Sequence, residues 1–238
     1  NLIIQYSKIS NKDIKKKGED LKKNKILVKK NKKIDFIKIA LLSSAGITNI
    51  WVYKPLKVGV ISSGNELIKS GKKIKEHQVY DSNKNQIIYF LKKFNINAKD
   101  LGVLKDNQLK IKSFYRNNKN KFDIIISSGG SSFSSKDFIS SFLEDHTNLL
   151  FKYVRIQPGR PVIFSKLKSN FFFSLPGNPL AVFINLFLLI SLFIDPSRNS
   201  NSRIIKYYRS AFSENKKSNI TKFYRVKLSK NLLHTHNS

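Results

Sequence analysis

Short apolar runs alternate with longer segments of helical spacing between residues 58 and 194. Residues 124–126 are three consecutive isoleucines, a continuous run typical of a strand covered on both faces in a parallel sheet. The segment from Ile87 to Phe94 instead spaces its apolar residues three and four apart, which predicts a helix. Because strand and helix alternate, the pattern predicts βαβ units and an α/β fold, a three-layer α/β/α sandwich with a mostly parallel sheet.

The same patterns predict the remaining elements. Further strands are expected near residues 50–53, 58–61, 99–104, 149–156, 162–167, 170–174 and 222–228, and further helices near 36–45, 107–117, 138–143 and 180–194. Asp35 is expected to cap the first helix, and Pro179 suits the first turn of the last. The last helix is shorter than the roughly 20 apolar residues that a membrane span needs, so we expect it to be buried, with no membrane partner.

Composition shifts divide the chain into three expected domains. Residues 1–54 are interpreted as the remnant of an N-terminal region, and Pro55 opens a core α/β domain over residues 55–196. The polar segment after Asp195 leads into residues 197–238, expected to begin a truncated C-terminal β domain. The sequence contains no methionine, so we expect a fragment or a processed product.

The net charge of +30 raises nucleic acid as a possible partner. The excess is almost entirely lysine, is spread along the chain and accompanies much Asn, Ile, Phe and Tyr, as an AT-rich genome imposes. We therefore favour compositional bias as the source of the charge. A basic nucleic-acid-binding protein is kept as a hypothesis, ranked third after the two described below. The absence of cysteine excludes disulfides and thiolate metal sites, and the four histidines lack metal-ligand spacing.

A glycine corner follows the isoleucine run. Gly129 and Gly130 lack a Cβ where the chain turns, so backbone N–H groups can approach an anion closely. Hydroxyl donors follow at Ser131, Ser132, Ser134 and Ser135. A helix predicted from Phe138 directs the positive end of its dipole towards the same place. The pattern indicates an anion site, and the alternative is a flexible, solvated loop.

Polar loops follow several of the predicted strands. In an open α/β sheet, ligands bind beyond the carboxyl ends of the strands. The loops expected there are residues 62–66, 79–83, 128–137 and 176–179. Their amides, hydroxyls and carboxylates suit a phosphorylated heterocycle with a divalent cation, and Asp81 and Asp137 are candidate Mg²⁺ ligands. The alternative role for each carboxylate is a helix cap, and the two roles are compatible.

Seven ordered motifs resemble those of one family. They are KKKGEDL, ISSGNEL, VYDSN, DLGVLKDN, DIIISSGGSS followed by KDF, RIQPGRP and SLPGNPLAV, over roughly residues 15–195. With these motifs the chain resembles the molybdopterin molybdenumtransferase family, which includes bacterial MoeA and the E domain of gephyrin. The resemblance implies a cytoplasmic homodimeric enzyme that inserts molybdate into adenylylated molybdopterin with Mg²⁺, releasing AMP and molybdenum cofactor.

The resemblance also assigns site residues. The implied catalytic residues are Glu19, Asp81, Asp137 and Arg225, with Asp81 and Asp137 binding the metal. The implied substrate-binding residues are Ser63, Gly64, Gly129, Gly130, Ser131, Ser132, Ser134, Gln157, Pro158, Gly159, Arg160, Pro176, Gly177, Asn178 and Pro179. Arg155 is expected to join Arg160 in a cationic pocket for molybdate. The second hypothesis is a non-catalytic pterin-binding or scaffold remnant of the enzyme.

Overall fold

The computed structural model describes residues 14–118, 120–130, 138–195, 206–214, 219–230 and 232–235. The chain divides into two compact units, Asn1–Tyr53 and Lys54–Ser238. The helices are α1 Phe36–Ser44, α2 Asn83–Lys92, α3 Gln108–Asn118, α4 Phe138–His146, α5 Pro179–Asn185 and α6 Ser191–Ile194. The strands are β1 Val58–Ser63, β2 Leu67–Ile68, β3 Val79–Tyr80, β4 Lys99–Leu104, β5 Ile124–Ser128, β6 Asn148–Tyr153, β7 Ile156–Gln157, β8 Pro161–Leu167, β9 Asn170–Leu175, β10 Arg209–Ser210, β11 Thr221–Lys222, β12 Val226–Ser229 and β13 Leu232–Thr235.

The first unit contains helix α1. Asp35 caps it as predicted, since its Oδ1 accepts a hydrogen bond from the Lys38 N–H at 3.0 Å. The predicted strand at residues 50–53 is wrong, because this segment is irregular and Trp51 and Val52 are exposed. A strand needs a partner for its backbone groups, and no strand pairs with this segment among the described residues.

The second unit is built on a six-stranded sheet of order β4-β1-β5-β9-β8-β6. The pairs β1–β4, β1–β5 and β5–β9 are parallel, whereas β8 runs antiparallel to both β9 and β6. The mostly parallel sheet is as predicted. The sequence pattern did not reveal the antiparallel β8, nor that the strand predicted over residues 149–156 divides into β6 and β7.

Each face of the sheet carries its own hydrophobic core. On one face Val60, Ile126 and Phe173 pack with Ile87 of α2 and Val182 of α5. On the other, Ile61, Ile125 and Phe172 pack with side chains of α3 and α4, including Tyr115 and Phe142. Consecutive strand residues thus enter opposite cores, as expected for a sheet covered on both sides. The three-layer α/β/α sandwich is confirmed.

The predicted apolar helix at residues 180–194 forms in three parts. Between α5 and α6, Leu186–Ile190 adopts π-helical geometry. Pro179 occupies the first turn, as predicted. In the part of the chain that the structure describes, no helix combines the length and apolar character needed to cross a bilayer.

The C-terminal strands form two small sheets. Strand β13 lies between β10 and β12, and β11 pairs in parallel with β7. The single strand predicted over residues 222–228 is therefore wrong, because Phe223–Arg225 separate β11 from β12. Residues 221–222 instead pair with β7 as strand β11, and residues 226–229 form β12 in a separate sheet.

Candidate functional site

The candidate site lies along the carboxyl edge of the parallel strands. Ser63 of β1 pairs with Leu104 of β4, and Ser128 of β5 pairs with Leu175 of β9. Strand β5 also pairs in register with β1. The loops that follow these four strands therefore emerge side by side, and those after β1, β5 and β9 belong to the predicted set.

The glycine corner after β5 is packed against its neighbours. The Gly129 N–H donates to the Leu175 carbonyl at 2.9 Å. A Cβ on Gly129 would lie 2.4 Å from the Ser63 carbonyl oxygen, and the φ of +82° also favours glycine. A Cβ on Gly130 would lie 2.8 Å from that of Ile139. Backbone alone fits between the end of β1 and helix α4. The predicted residues Ser131, Ser132, Ser134 and Asp137 lie outside the described residues.

The loop after β9 adjoins the start of α2. Asn178 caps α5, since its Oδ1 accepts from the Leu180 N–H at 2.9 Å and the Ala181 N–H at 3.2 Å. The Gly177 carbonyl accepts from the Asn83 side-chain amide at 2.6 Å. Because Gly129 is bonded to Leu175, the glycine corner and the Pro176–Pro179 loop lie on the same edge of the sheet.

The loop after β1 carries Ser63 and Gly64. The Ser63 hydroxyl donates to Asp106 Oδ1 at 3.1 Å, and Asn65 Oδ1 accepts from the Asp106 N–H at 3.3 Å. These bonds join the ends of β1 and β4. Asp106 places a carboxylate at the site that the sequence analysis did not select, although it belongs to the DLGVLKDN motif.

Asp81 is buried at the mouth of helix α2. Its Oδ2 accepts from the Ser62 hydroxyl at 2.7 Å, and its Oδ1 accepts from the backbone N–H of Lys84 at 3.2 Å. The side-chain Nζ of Lys84 lies 3.3 Å from the same Oδ2. The capping role considered for Asp81 is thus present, because the bond to the Lys84 N–H satisfies the first turn of α2.

Lys84 is the main site residue that sequence reasoning missed. Its Nζ also lies 3.1 Å from Asp100 Oδ1 on β4 and donates to the Gly102 carbonyl at 3.3 Å. Partial burial raises the pKa of Asp100, but the hydrogen bond from the Gly102 N–H and the charge of Lys84 lower it by more. The pKa of this carboxyl therefore lies below its usual range. The sequence did carry one signal for this role, because a lysine in the first turn of a helix is disfavoured by the helix dipole.

This arrangement bears on the predicted Mg²⁺ ligand. Both oxygens of Asp81 already accept hydrogen bonds, and one of them faces an ammonium group. Mg²⁺ requires oxygen ligands at about 2.0–2.1 Å in near-octahedral geometry, so Asp81 as held here does not fit it. Across the described residues, no three His, Cys, Asp or Glu side chains form a group that could hold a metal ion.

The Gln157–Arg160 corner reaches the same edge from β8. Ile163 of β8 pairs with Ser174 of β9, so the residues before β8 lie level with those after β9. The Gln157–Pro158 peptide bond is cis, and Gly159 is buried with a φ of +112°. Glycine is favoured there, because even the Cβ of alanine would lie 2.7 Å from the Asn185 side-chain nitrogen.

Two arginines line a recess beside this corner. Arg155 and Arg160, with Asn219 and Ile220, line an open recess of about 290 Å³. The C-terminal segment is held there because the Thr221 N–H donates to the Arg155 carbonyl at 2.8 Å. The structure thus brings together the two cations that were expected to bind an oxyanion.

The other predicted catalytic residues lie elsewhere in the chain. Glu19, in the first unit, is exposed and its Oε2 accepts from the Lys16 N–H at 2.8 Å. Arg225 is exposed between β11 and β12. The catalytic roles of both residues stay predictions.

These features define a class of protein. The chain forms a three-layer sandwich around a mostly parallel sheet, and the glycine corner and the proline-glycine loops lie along one edge of that sheet. This part of the chain matches a known family model. Residues 59–195 match the family described as "Probable molybdopterin binding domain". This match spans more than half of the chain, which therefore belongs to that family.

Individual relatives agree with this assignment. The chain is 34% identical over 180 residues to "Molybdopterin molybdenumtransferase" of Haemophilus influenzae, covering 76% of this chain and 45% of that protein. It is 35% identical over 153 residues to "Molybdenum cofactor synthesis protein cinnamon" of Drosophila melanogaster, covering 63% and 25%. A solved molybdopterin biosynthesis MoeA protein from Pyrococcus horikosii matches with a TM-score of 0.72 and 29% identity, covering 93% and 55%. The family resemblance is confirmed, and the chain spans about half or less of these relatives' lengths.

Proposed function

We propose that the chain acts in molybdenum cofactor biosynthesis as a molybdopterin molybdenumtransferase. The reaction inserts molybdate into adenylylated molybdopterin and releases AMP and molybdenum cofactor. The observation that carries this proposal is the position of the glycine corner and the arginine recess on one edge of one sheet. A substrate bound at the first would place its reacting end near an oxyanion held at the second.

The glycine corner would bind the phosphate of the pterin. Gly129 and Gly130 lack a Cβ where β5 ends, and because the Gly129 N–H is already bonded to the Leu175 carbonyl, the backbone from Gly130 onward would supply the donors. Backbone N–H groups in such a concavity attract anions. The predicted Ser131, Ser132 and Ser134 would extend the same binding loop.

The arginine recess would bind molybdate. A guanidinium group has several planar N–H donors and stays charged, so it pairs well with the oxygens of a tetrahedral oxyanion. Arg155 and Arg160 would thus supply charge neutralisation. Catalysis by these groups consists of positioning and electrostatic stabilisation.

Three further properties come to the proposal from the family resemblance. Mg²⁺ is proposed as the accompanying cation, with Asp137 as its remaining predicted ligand. A homodimer and a cytoplasmic location complete the proposal. Light scattering coupled to size exclusion would test the dimer, and a monomeric mass at all concentrations would contradict it.

The decisive experiment measures AMP release from adenylylated molybdopterin in the presence of molybdate. The variant R155Q/R160Q removes the two cations of the recess. We expect it to bind the nucleotide and to lose at least about tenfold in AMP release, since each lost charge-assisted hydrogen bond is worth about 1.5–3 kcal/mol.

A matched control removes two cations from the opposite edge of the sheet. Lys121 precedes β5 and Lys168 lies in the turn between β8 and β9. The variant K121Q/K168Q should release AMP at the wild-type rate. If the unmodified chain binds the nucleotide but releases no AMP, the second hypothesis of a pterin-binding remnant is favoured, in line with the chain's partial coverage of its relatives.

A further inference from the structure

Lys84 lies in a place where a lysine is costly. It is the second residue of α2, and its side chain is 9% exposed. The first turn of a helix carries partial positive charge, and lysine is rarely buried unless it is paired. Helix stability therefore does not explain this residue, and its partners must.

The partners of Lys84 come from two separate elements. Asp81 precedes the helix, whereas Asp100 and Gly102 belong to β4. Their oxygens lie 3.3, 3.1 and 3.3 Å from Nζ, respectively. An ammonium group has three N–H donors, so these three oxygens match its full capacity. Lys84 is therefore surrounded by oxygen partners supplied by the protein itself.

The carboxylate of Asp81 is equally occupied. Ser62 and the backbone N–H of Lys84 bind its two oxygens, and its side chain is 4% exposed. A divalent cation bound to Oδ2 would stand next to the ammonium group and repel it. Breaking a buried ion pair is strongly unfavourable because it leaves a charge without a partner.

We propose that the ammonium group of Lys84 is the resident cation of the Asp81 pocket, and that no divalent cation binds Asp81. Asp81 and Lys84 are then positioning residues that hold the end of β1, the start of α2 and β4 together. Any divalent cation that the protein binds would then occupy a site other than Asp81. Only the activity readout of this inference rests on the proposed function.

The first test labels amines in the folded chain with acetic anhydride and maps them by mass spectrometry. Lys92, exposed on the same helix, is the matched reference. We expect Lys84 to be acetylated at least about tenfold more slowly than Lys92, because its amine is buried and paired. Asp81→Asn should accelerate the labelling of Lys84 alone. Equal rates at Lys84 and Lys92 in the wild-type chain would overturn the proposal.

The second test asks whether removing the ammonium group creates a metal site. Lys84→Met keeps most of the apolar stem and leaves the carboxylates of Asp81 and Asp100 facing an empty position. We expect Mn²⁺, followed by electron paramagnetic resonance and by Tm, to bind and stabilise K84M more than wild type. The gain should vanish in K84M/D81N and be absent in K92M. K84M that folds but gains no Mn²⁺ binding would contradict the proposal.

The third arm needs only wild type and D81N, so it decides even if K84M fails to fold. Mn²⁺ binding should be the same in both, whether it is measurable or nil. Binding that weakens about tenfold in D81N would make Asp81 a metal ligand and overturn the proposal. If the chain releases no AMP but Lys84 is labelled slowly, the proposed function is wrong and this inference stands. If the chain releases AMP but its Mn²⁺ binding depends on Asp81, this inference is wrong and the proposed function stands.

Discussion

Gly129 has little steric freedom at the candidate site. Its missing Cβ would lie 2.4 Å from the Ser63 carbonyl oxygen, which is backbone and cannot rotate away. Its φ of +82° is also one that side chains rarely adopt. Two independent constraints therefore require glycine where β5 turns into the predicted anion loop.

Gly129→Ala should destabilise the chain by about 2 kcal/mol or more, because strain and overpacking add at this position. Urea denaturation followed by circular dichroism would measure the change. Gly177→Ala is the matched control, since nothing lies within 4 Å of its Cβ. Equal midpoints for the two variants would contradict the steric interpretation.

Single residues also show where sequence reasoning stops. Asp81 could be placed at a helix mouth because capping is a local property that the VYDSN pattern carries. Its pairing with Lys84 and Asp100 could not, because it depends on where β4 lies in the folded sheet. The position of Asp106 at the site could not be predicted for the same reason, since its hydrogen bond with Ser63 joins residues 43 positions apart in sequence.

Helix α5 connects the site to the core through its cap. Asn178 accepts two backbone N–H bonds, and the helix then places Val182 in the core beside α2. The same residue lies in the loop next to the glycine corner. The roles of Asn178 in stability and in anion binding can be separated by a substitution that keeps the cap but adds a negative charge.

Asn178→Ala should cost about 1 kcal/mol in the free energy of unfolding, the usual loss for a helix cap. Asn178→Asp should keep that stability, since aspartate caps as well, but should weaken AMP binding by repelling its phosphate. Urea denaturation and calorimetric AMP titration would measure the two effects. AMP binding to N178D at wild-type strength would place the anion away from this loop.

Helix α4 is tied to β6 by an ion pair between Glu144 and Lys152. Burial raises the pKa of Glu144, but the hydrogen bonds from Lys152 and Ser140 lower it below its ordinary value of 4.5. The bond to Glu144 raises the pKa of Lys152 above its ordinary value of 10.5. The pair therefore joins a helix of one layer to the sheet edge over a wide pH range.

The stability that this pair contributes should be present above pH 4.5 and lost as the pH falls through the lower folded pKa of Glu144. On the alkaline side it is present below pH 10.5 and lost as the pH rises through the folded pKa of Lys152. The side chains of Lys152 and Glu144 are 27% and 35% exposed, so Glu144→Gln should remove less than about 1 kcal/mol at neutral pH. Urea titrations from pH 3 to 7 should show a flatter profile for E144Q than for Asp145→Asn, the exposed neighbour.

At the scale of the whole molecule, alternation of strand and helix was enough to predict the layers and the edge where the loops meet. Parallel βαβ units leave little choice about which side the loops occupy. Strand order could not be predicted, because it depends on connections that cross the sheet, whereas the antiparallel pairing of β8 with β9 follows from the tight turn at residues 168–169 that joins them. The pairing of β11 with β7 was also beyond reach, since residues 221–222 and 156–157 are far apart in sequence.

That pairing makes the C-terminal segment part of the arginine recess. The buried residues of both core clusters lie between Val58 and Ile190, so the sheet does not need this segment for its core. The recess does need it, because Asn219 and Ile220 form one wall. The segment therefore contributes to the proposed molybdate site more than to stability.

Thr221→Pro tests this separation, because proline removes the N–H that donates to the Arg155 carbonyl. We expect wild-type unfolding of the sheet by far-UV circular dichroism, together with at least about tenfold weaker molybdate binding by calorimetry, since one wall of the recess detaches. Thr221→Val keeps the N–H and should bind molybdate as wild type does. If T221P binds molybdate normally, the C-terminal segment is not part of the oxyanion site.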